Sequence, residues 1–131
     1  MKNSKIIAKH YVSDLSTCEL LTMKCLWDAK SSKPDGVITC QEIMEQLKIK
    51  YGVEYKDTTV YTYLKNLLKK GYVNCYKRGV YFYSPLKDEK EYFNSELDKF
   101  KKIWFDDNTS LMAKYIISTL SKEEKNEVLS K

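Results

Sequence analysis

The sequence predicts a mostly α-helical protein with one short β-hairpin, and three patterns in its 131 residues favour this fold class. Several segments repeat apolar residues at helical spacing behind residues that can cap a helix. Two strand-like runs, 72–77 and 80–84, flank the basic turn formed by Arg78 and Gly79. The last third of the chain is again helical in pattern, with a large apolar stripe.

Composition limits the classes of function that the chain can have. Its 23 lysines and arginines exceed its 18 aspartates and glutamates, and a net charge of +5 permits a polyanionic partner. No apolar run is long enough to span a bilayer, and no signal-peptide core is present. Phosphate loops, nucleophile elbows and carboxylate–histidine pairings are also missing. We therefore expect a cytoplasmic protein without membrane insertion that is not an enzyme and binds no cofactor.

The four cysteines do not form a metal-binding pattern. Cys18, Cys25, Cys40 and Cys75 include no C-x-x-C pair, and His10 is the only imidazole. We expect reduced thiols and no metal site.

The first helix is expected to follow a loose polar arm at residues 1–11. Ser16 and Glu19 have capping-box spacing, and Leu15 and Leu20 occupy the positions of a hydrophobic staple. The buried stripe of this helix consists of Leu20, Met23, Leu26 and Trp27. After Ala29, the run K-S-S-K-P-D-G is turn chemistry.

A second helix is expected from Cys40 to about Tyr51. Val37-Ile38 before it is long enough for a single sheet rung only. Thr39 and Glu42 repeat the capping-box spacing, and Gly52 can close the helix.

The segment from Asp57 to Gly71 is expected to form an amphipathic helix with two distinct faces. Asp57 is expected to cap its start, and Gly71 to end it in the left-handed conformation. One flank is apolar: Val60, Leu64, Leu67 and Leu68. The opposite flank carries Thr58, Thr62, Lys65 and Lys69, with Tyr61 beside the hydroxyls. Hydroxyls on the first turns can reach base edges and lysines can meet phosphates, although an ordinary solvated face has the same pattern.

The neighbouring elements favour the nucleic-acid interpretation. Two successive helices followed by a hairpin are the parts of a winged helix-turn-helix, which we assign to residues 12–86 as a DNA-binding domain. Pro85 stops the second strand. Lys77 and Arg78 lie at the hairpin tip, where they would contact phosphates beside a duplex.

Residues 87–131 are expected to form a helical dimerisation domain. Its first helix has an apolar stripe on 4-3-4 spacing, residues 106–109 break the pattern, and Ser121 with Glu124 caps a last helix ending near Leu129. Helices this apolar cannot all be covered by a small winged helix, which favours a second copy of the chain as the partner. The residues expected at the dimer interface are Phe93, Leu97, Phe100, Trp104, Leu111, Tyr115, Ile116 and Leu120.

From Leu15 onward the sequence resembles the penicillinase and methicillin-resistance repressors (BlaI/MecI type), to which copper-responsive repressors also belong. The motif L-S-T-C-E-L-L-T-M-K-C-L-W is similar to the family's first helix, and D-T-T-V-Y-T-Y-L-K-N-L-L-K-K-G-Y-V to its recognition helix. Y-F-Y-S-P-L is similar to the end of its wing, and L-S-K-E-E-K-N-E-V-L to its closing helix.

The resemblance implies a homodimeric repressor that binds an inverted-repeat operator on double-stranded DNA, in the family typically of TACA/TGTA type. It implies base contacts from Thr58, Thr59, Tyr61 and Thr62, and backbone contacts from Lys65, Lys77 and Arg78. Family members often have arginine where this chain has Tyr61, and a phenol cannot make the bidentate guanine contact of arginine.

The resemblance also bears on how repression ends. β-Lactam-responsive members are cut at an Asn-Phe bond in the dimerisation region, and Lys114-Tyr115 lies at the matching place here. This implies control of β-lactam resistance genes and a membrane sensor protease as a partner. Copper-responsive members end in paired cysteines, which this chain lacks.

Two other interpretations stay open. A winged-helix protein-interaction module would have the same fold without touching nucleic acid. A metal- or redox-responsive repressor would use the four cysteines for sensing.

Overall fold

The structure is a computed structural model that describes residues 14–130, so the arm expected at residues 1–11 lies outside the described residues. The described chain is mostly helical, as predicted. Its elements in order are α1 (Thr17–Ser32), β1 (Ile38–Thr39), α2 (Cys40–Tyr51), α3 (Asp57–Lys69), β2 (Val73–Arg78), β3 (Val80–Pro85), α4 (Glu89–Phe105), α5 (Thr109–Ser118) and α6 (Lys122–Leu129). Backbone contacts divide the chain into two compact units between Glu91 and Tyr92. The functional assignment of residues 12–86 and 87–131 stays a prediction.

The predicted capping box at the start of α1 is confirmed. The Glu19 amide donates to the Ser16 hydroxyl at 3.2 Å, and the Ser16 amide donates to the Glu19 carboxylate at 3.0 Å. The helix continues to Ser32, beyond the expected end at Ala29. Serine is tolerated in this last turn because the Ser32 hydroxyl donates to the Asp28 carbonyl within the helix, at 2.7 Å.

Helix α2 has the predicted bounds and both predicted ends. Thr39 and Glu42 form a second capping box, and Gly52 adopts a left-handed conformation with φ 67°. A residue with a Cβ is disfavoured at that backbone angle, so Gly52 ends the helix cleanly.

Helix α3 packs its apolar side into the core of the first unit. Val60, Leu64 and Leu67 have no exposed surface, and they share the core with Met23, Leu26, Ile43 and Leu47 of α1 and α2. Leu68, which helical spacing places on the same apolar flank, is 40% exposed. Leu67 and Leu68 are about 100° apart on the helix, so both cannot lie at the centre of one buried stripe. Trp27 is buried as predicted, and its ring nitrogen donates to the Lys87 carbonyl at 2.9 Å.

The predicted hairpin is present and belongs to a three-stranded antiparallel sheet in the order β1-β3-β2. Strand β1 contributes a single short rung, with Ile38 opposite Tyr83. The β2–β3 register runs from Val73 opposite Pro85 to Arg78 opposite Val80, and Gly79 makes the turn at φ 77°. Helices α2 and α3 followed by this hairpin form a winged helix-turn-helix, which confirms the predicted fold class.

The second unit is formed by helical segments with little core of their own. The Phe105 ring lies 6.1 Å from the Phe100 ring and 5.9 Å from the Tyr115 ring, measured between centroids. Met112 is the one buried hydrophobic residue of this unit among the residues described. The predicted break between helices is confirmed, and Asp106 and Asp107 there have positive φ. Helix α6 begins with the predicted capping box of Ser121 and Glu124.

Within residues 14–130, no helix combines the length and the apolar character that crossing a membrane requires.

Candidate nucleic-acid interface

The backbone of α3 is held at its C-terminal end and along its buried face. Gly71 has φ 77°, and the Tyr72 amide donates to the Leu67 carbonyl at 2.9 Å, so the chain turns directly into β2. The Lys70 amine donates to the Glu19 carboxylate at 2.7 Å, which ties the end of α3 to the start of α1. These contacts fix which side of α3 faces solvent.

The N-terminal end of α3 differs from the prediction. The capping position is Lys56, whose backbone is extended at φ −69° and ψ 155° and whose side chain makes no capping hydrogen bond. Asp57 is instead the first helical residue, and its Oδ1 accepts from the Thr58 amide at 2.8 Å. The prediction of Asp57 as the cap is therefore wrong by one residue.

Most residues predicted to contact DNA lie on the exposed side of α3. Thr58, Tyr61, Thr62 and Lys65 are exposed, while Thr59 is half-buried. The Thr62 hydroxyl donates to the Thr58 carbonyl one turn earlier, at 3.0 Å, which leaves its oxygen lone pairs available to accept. Thr59 has the least surface to offer to a ligand, and burial of a side chain cannot be read from its position in the motif.

The wing presents its two cations together with aromatic rings. Lys77 and Arg78 are exposed at the end of β2. The Lys77 amine lies over the Tyr81 ring, 5.5 Å from its centroid, and the two residues are opposite each other in the strand register. Tyr76 stacks on Phe82 at 5.4 Å. Tyr76 and Tyr81 were not among the predicted site residues. The register places them on opposite faces of the hairpin, yet both are exposed, at 45% and 44%.

The cations of this surface are available for a polyanion. Lys65, Lys69, Lys77 and Arg78 have no carboxylate within 4.0 Å in the described part of the chain, in contrast to Lys70. Lys56, next to the start of α3, is likewise exposed and unpaired within residues 14–130. An anion that approaches these amines does not need to break an existing ion pair.

A cleft joins the start of α3 to the wing. It has a volume of 260 Å³ and is lined by Thr39, Cys40, Gln41, Met44, Asp57, Tyr61, Val80 and Tyr81. Burial, together with the nearby Cys40 thiol and Asp57 carboxylate, raises the pKa of Tyr61. Like an ordinary tyrosine, the phenol is protonated at neutral pH and can donate a hydrogen bond. Because one cleft contains residues of α3 and β3, the exposed face of α3 and the wing lie side by side.

The cysteines have different environments. Burial raises the pKa of Cys25 and of Cys40 to about 11, so both remain neutral thiols. Hydrogen bonds from Tyr55 and Tyr63 lower the pKa of Cys18, whose sulfur lies 3.2 Å from the Tyr55 hydroxyl oxygen. No group of three or more histidine, cysteine, aspartate or glutamate side chains within residues 14–130 is arranged to hold a metal ion.

Comparison with known proteins places this geometry in context. The sequence model described as "Penicillinase repressor" matches residues 15–131. The penicillinase repressor of Bacillus licheniformis is 28% identical over 120 residues, which cover 89% of this chain and 88% of that protein. The solution structure of the DNA-binding domain of the repressor BlaI is similar at 30% identity and a TM-score of 0.48. That match covers 60% of this chain and 87% of the BlaI chain.

Proposed function

Because the chain belongs to the penicillinase repressor family, whose members are transcriptional regulators and not enzymes, we propose that it represses transcription by binding an inverted-repeat operator as a homodimer. The proposed targets are β-lactam resistance genes, and the cytoplasm is the proposed place of action. The proposed DNA-binding domain is residues 12–86, and the proposed dimerisation domain is residues 87–131.

One observation carries the DNA-binding proposal: the exposed face of α3 and the wing adjoin at a common cleft, and both carry cations that no carboxylate of residues 14–130 pairs with. On this proposal α3 enters the major groove, with Thr58, Thr59, Tyr61 and Thr62 towards base edges. Lys65 on the same helix and Lys77 and Arg78 on the wing contact phosphates.

The exposed apolar side chains of the second unit support the homodimer. Phe93 is 60% exposed, Trp104 70% and Tyr115 61%, and Leu97, Phe100, Leu111 and Ile116 are also exposed. Leu120 is half-buried. Apolar side chains on this scale are normally covered in a folded protein, and a two-fold copy of the same helices covers them symmetrically. A dimer also places two recognition helices on the two halves of one operator.

Release of the operator is proposed to follow a cut between Lys114 and Tyr115 by a membrane sensor protease. Both residues are exposed and lie inside α5, so the helix must open before a protease can cut it. Such a cut divides α5 and detaches residues 115–131, which include the proposed interface residues Tyr115, Ile116 and Leu120. Their loss would weaken the dimer and uncouple the two half-site contacts. Replacement of Lys114 or Tyr115 by alanine should alter the loss of full-length protein after β-lactam challenge, measured by immunoblot. Unchanged loss in both variants removes this assignment.

The test of the proposed function is binding of the full-length protein to its own upstream DNA and to scrambled DNA over a salt series. With about six to ten phosphate contacts, affinity should fall by roughly three to five orders of magnitude between about 50 and 200 mM salt. The upstream fragment should keep its advantage over scrambled DNA throughout.

Variants at the proposed phosphate contacts sharpen this test. Lys65→Ala and Arg78→Ala should each weaken binding to both fragments and reduce the salt slope by about 1. Lys30→Ala is the matched control, because Lys30 is an exposed lysine in the last turn of α1 and does not line the cleft between α3 and the wing. Equal binding to both fragments, or no binding, would instead favour a protein-interaction module.

A further inference from the structure

Asp57 lies at the start of α3, where it has no cationic partner among residues 14–130. It is the first helical residue, and its Oδ1 accepts a hydrogen bond from the Thr58 amide in the first turn. The side chain is exposed, and within residues 14–130 no lysine or arginine nitrogen lies within 4.0 Å of it. Its second oxygen, Oδ2, accepts no hydrogen bond from any described residue and keeps its full capacity to accept.

Asp57 lies one helical turn before Tyr61, on the side of α3 that borders the wing. The two residues are four apart on α3, one helical turn, and both line the cleft that joins α3 to the wing. The charge of Asp57 contributes to the raised pKa of Tyr61, which agrees with the two side chains being close together. Asp57 therefore shares the face on which Tyr61 is proposed to meet base edges.

A carboxylate on a DNA-facing surface is repelled by phosphates, and two local features reduce that cost. The positive end of the α3 dipole stabilises an acidic residue in the first turn. The exposed Lys56 immediately precedes it and carries the opposite charge. Both features offset part of the repulsion between the carboxylate and the phosphates.

The chemistry of an ionised carboxylate selects among base edges. It can only accept hydrogen bonds, and in the major groove the amino groups of cytosine and adenine are the donors. Adenine presents an acceptor, N7, beside its amino group, and guanine and thymine present oxygen acceptors that repel a carboxylate. The amino group at cytosine N4 is therefore the donor that best matches the carboxylate.

We propose that Asp57 is a specificity-determining residue of the operator contact, selecting a C·G base pair at one position in each half-site through the cytosine amino group. The proposal rests on the proposed function, because it requires α3 to enter the major groove. It adds to the four predicted base contacts a residue whose sequence position had suggested only a capping role.

The experiment is selection from a randomised duplex library, followed by affinities for every single-base change in the selected half-site. The full-length dimer is compared as wild type, Asp57→Asn and Asp57→Ala. Asp35→Asn is the matched control, because Asp35 is also exposed and also accepts from a nearby amide, that of Val37 at 3.3 Å. Circular dichroism melts verify that all four proteins are folded at the binding temperature.

Wild type should prefer C·G over each other pair at one half-site position by roughly tenfold. Asp57→Ala should lose that preference at that position alone. Asp57→Asn should lose it or move it towards A·T, since an amide carries a donor beside its acceptor. Asp35→Asn should keep the wild-type profile.

The contrary outcomes are distinguishable. Folded Asp57 variants that bind the selected site with the wild-type preference at every position would overturn the role of Asp57 and leave the repressor proposal intact. Wild-type protein that selects no sequence from the library would overturn both.

Discussion

At the scale of single residues, Glu19 connects two helices through one buried carboxylate. Its side chain is 7% exposed, and it accepts from the Ser16 amide at 3.0 Å and from the Lys70 amine at 2.7 Å. Burial acts to raise the pKa of Glu19, but the hydrogen bonds from Lys70 and Ser16 outweigh it, and the net pKa is lowered. The charged form is therefore the one that stabilises the fold.

The stability contribution of Glu19 depends on pH in a defined direction. Because the folded-state pKa is lowered, the contribution is complete above the ordinary glutamate value of 4.5 and is lost as pH falls through the folded value. Glu19→Gln keeps the shape and should lower the free energy of unfolding at pH 7 by about 1–3 kcal/mol, a range that allows for partial exposure of Lys70. Urea titrations at pH 7 and pH 3 measure the free energy of unfolding of wild type and Glu19→Gln.

The control for this prediction is Glu45→Gln, at an exposed glutamate on α2 that should tolerate the change. The difference between wild type and Glu19→Gln should narrow at pH 3. An equal difference at both pH values would mean that the glutamine is penalised for packing and not for charge.

At the scale of elements, α3 depends on a narrow apolar stripe. Leu64 is fully buried, whereas Leu68, one turn later, is 40% exposed. Leu64→Ala should lower the free energy of unfolding by about 2–5 kcal/mol, because it removes buried surface and leaves a cavity. Leu68→Ala, the same substitution on the same helix, should cost less than about 1 kcal/mol. Chemical denaturation compares the two, and similar losses would contradict the burial difference.

The same helix shows how far the sequence alone determines the elements. Features set within a few residues were predicted correctly, such as the capping boxes at Ser16 and Thr39 and the helix end at Gly52. The capping position of α3 was misplaced by one residue. Asp57 has the side chain of a typical cap, but the extended backbone is at Lys56, which makes Lys56 the capping residue. Periodicity placed Leu68 on the apolar flank, but the exposed fraction of its side chain depends on what packs against it, which periodicity does not predict.

The candidate site was predictable in composition but not in arrangement. The motif placed hydroxyls, Tyr61 and amines on one helix face, and the structure keeps most of them exposed. Three features depend on tertiary packing: the half-burial of Thr59, the cleft between α3 and β3, and the absence of a cation beside Asp57 within residues 14–130. Which of these side chains contacts a base stays a prediction.

At the scale of the whole molecule, the proposed dimer depends on the exposed apolar residues of the second unit. A mass near twice 15.4 kDa is expected in solution at micromolar concentration. Trp104→Glu places a charge where the partner copy is expected, and it should weaken self-association by roughly a hundredfold or more. Sedimentation equilibrium measures the dissociation constant directly.

The matched control is Ile49→Glu, which introduces the same charge at another exposed hydrophobic residue, 74% exposed on α2. This variant should associate like wild type. A monomeric wild type, or equal weakening in both variants, would reject the proposed interface.

The two tryptophans give each unit its own optical signal. Trp27 is buried, with its ring nitrogen bonded to the Lys87 carbonyl, whereas Trp104 is 70% exposed. Indole emission moves to shorter wavelength when the ring leaves water, so Trp27 should emit in the blue and Trp104 in the red in a single chain. Pairing of two chains should then shift only the Trp104 emission. A Trp104→Phe protein retains Trp27 alone and reports melting of the winged helix without interference from assembly.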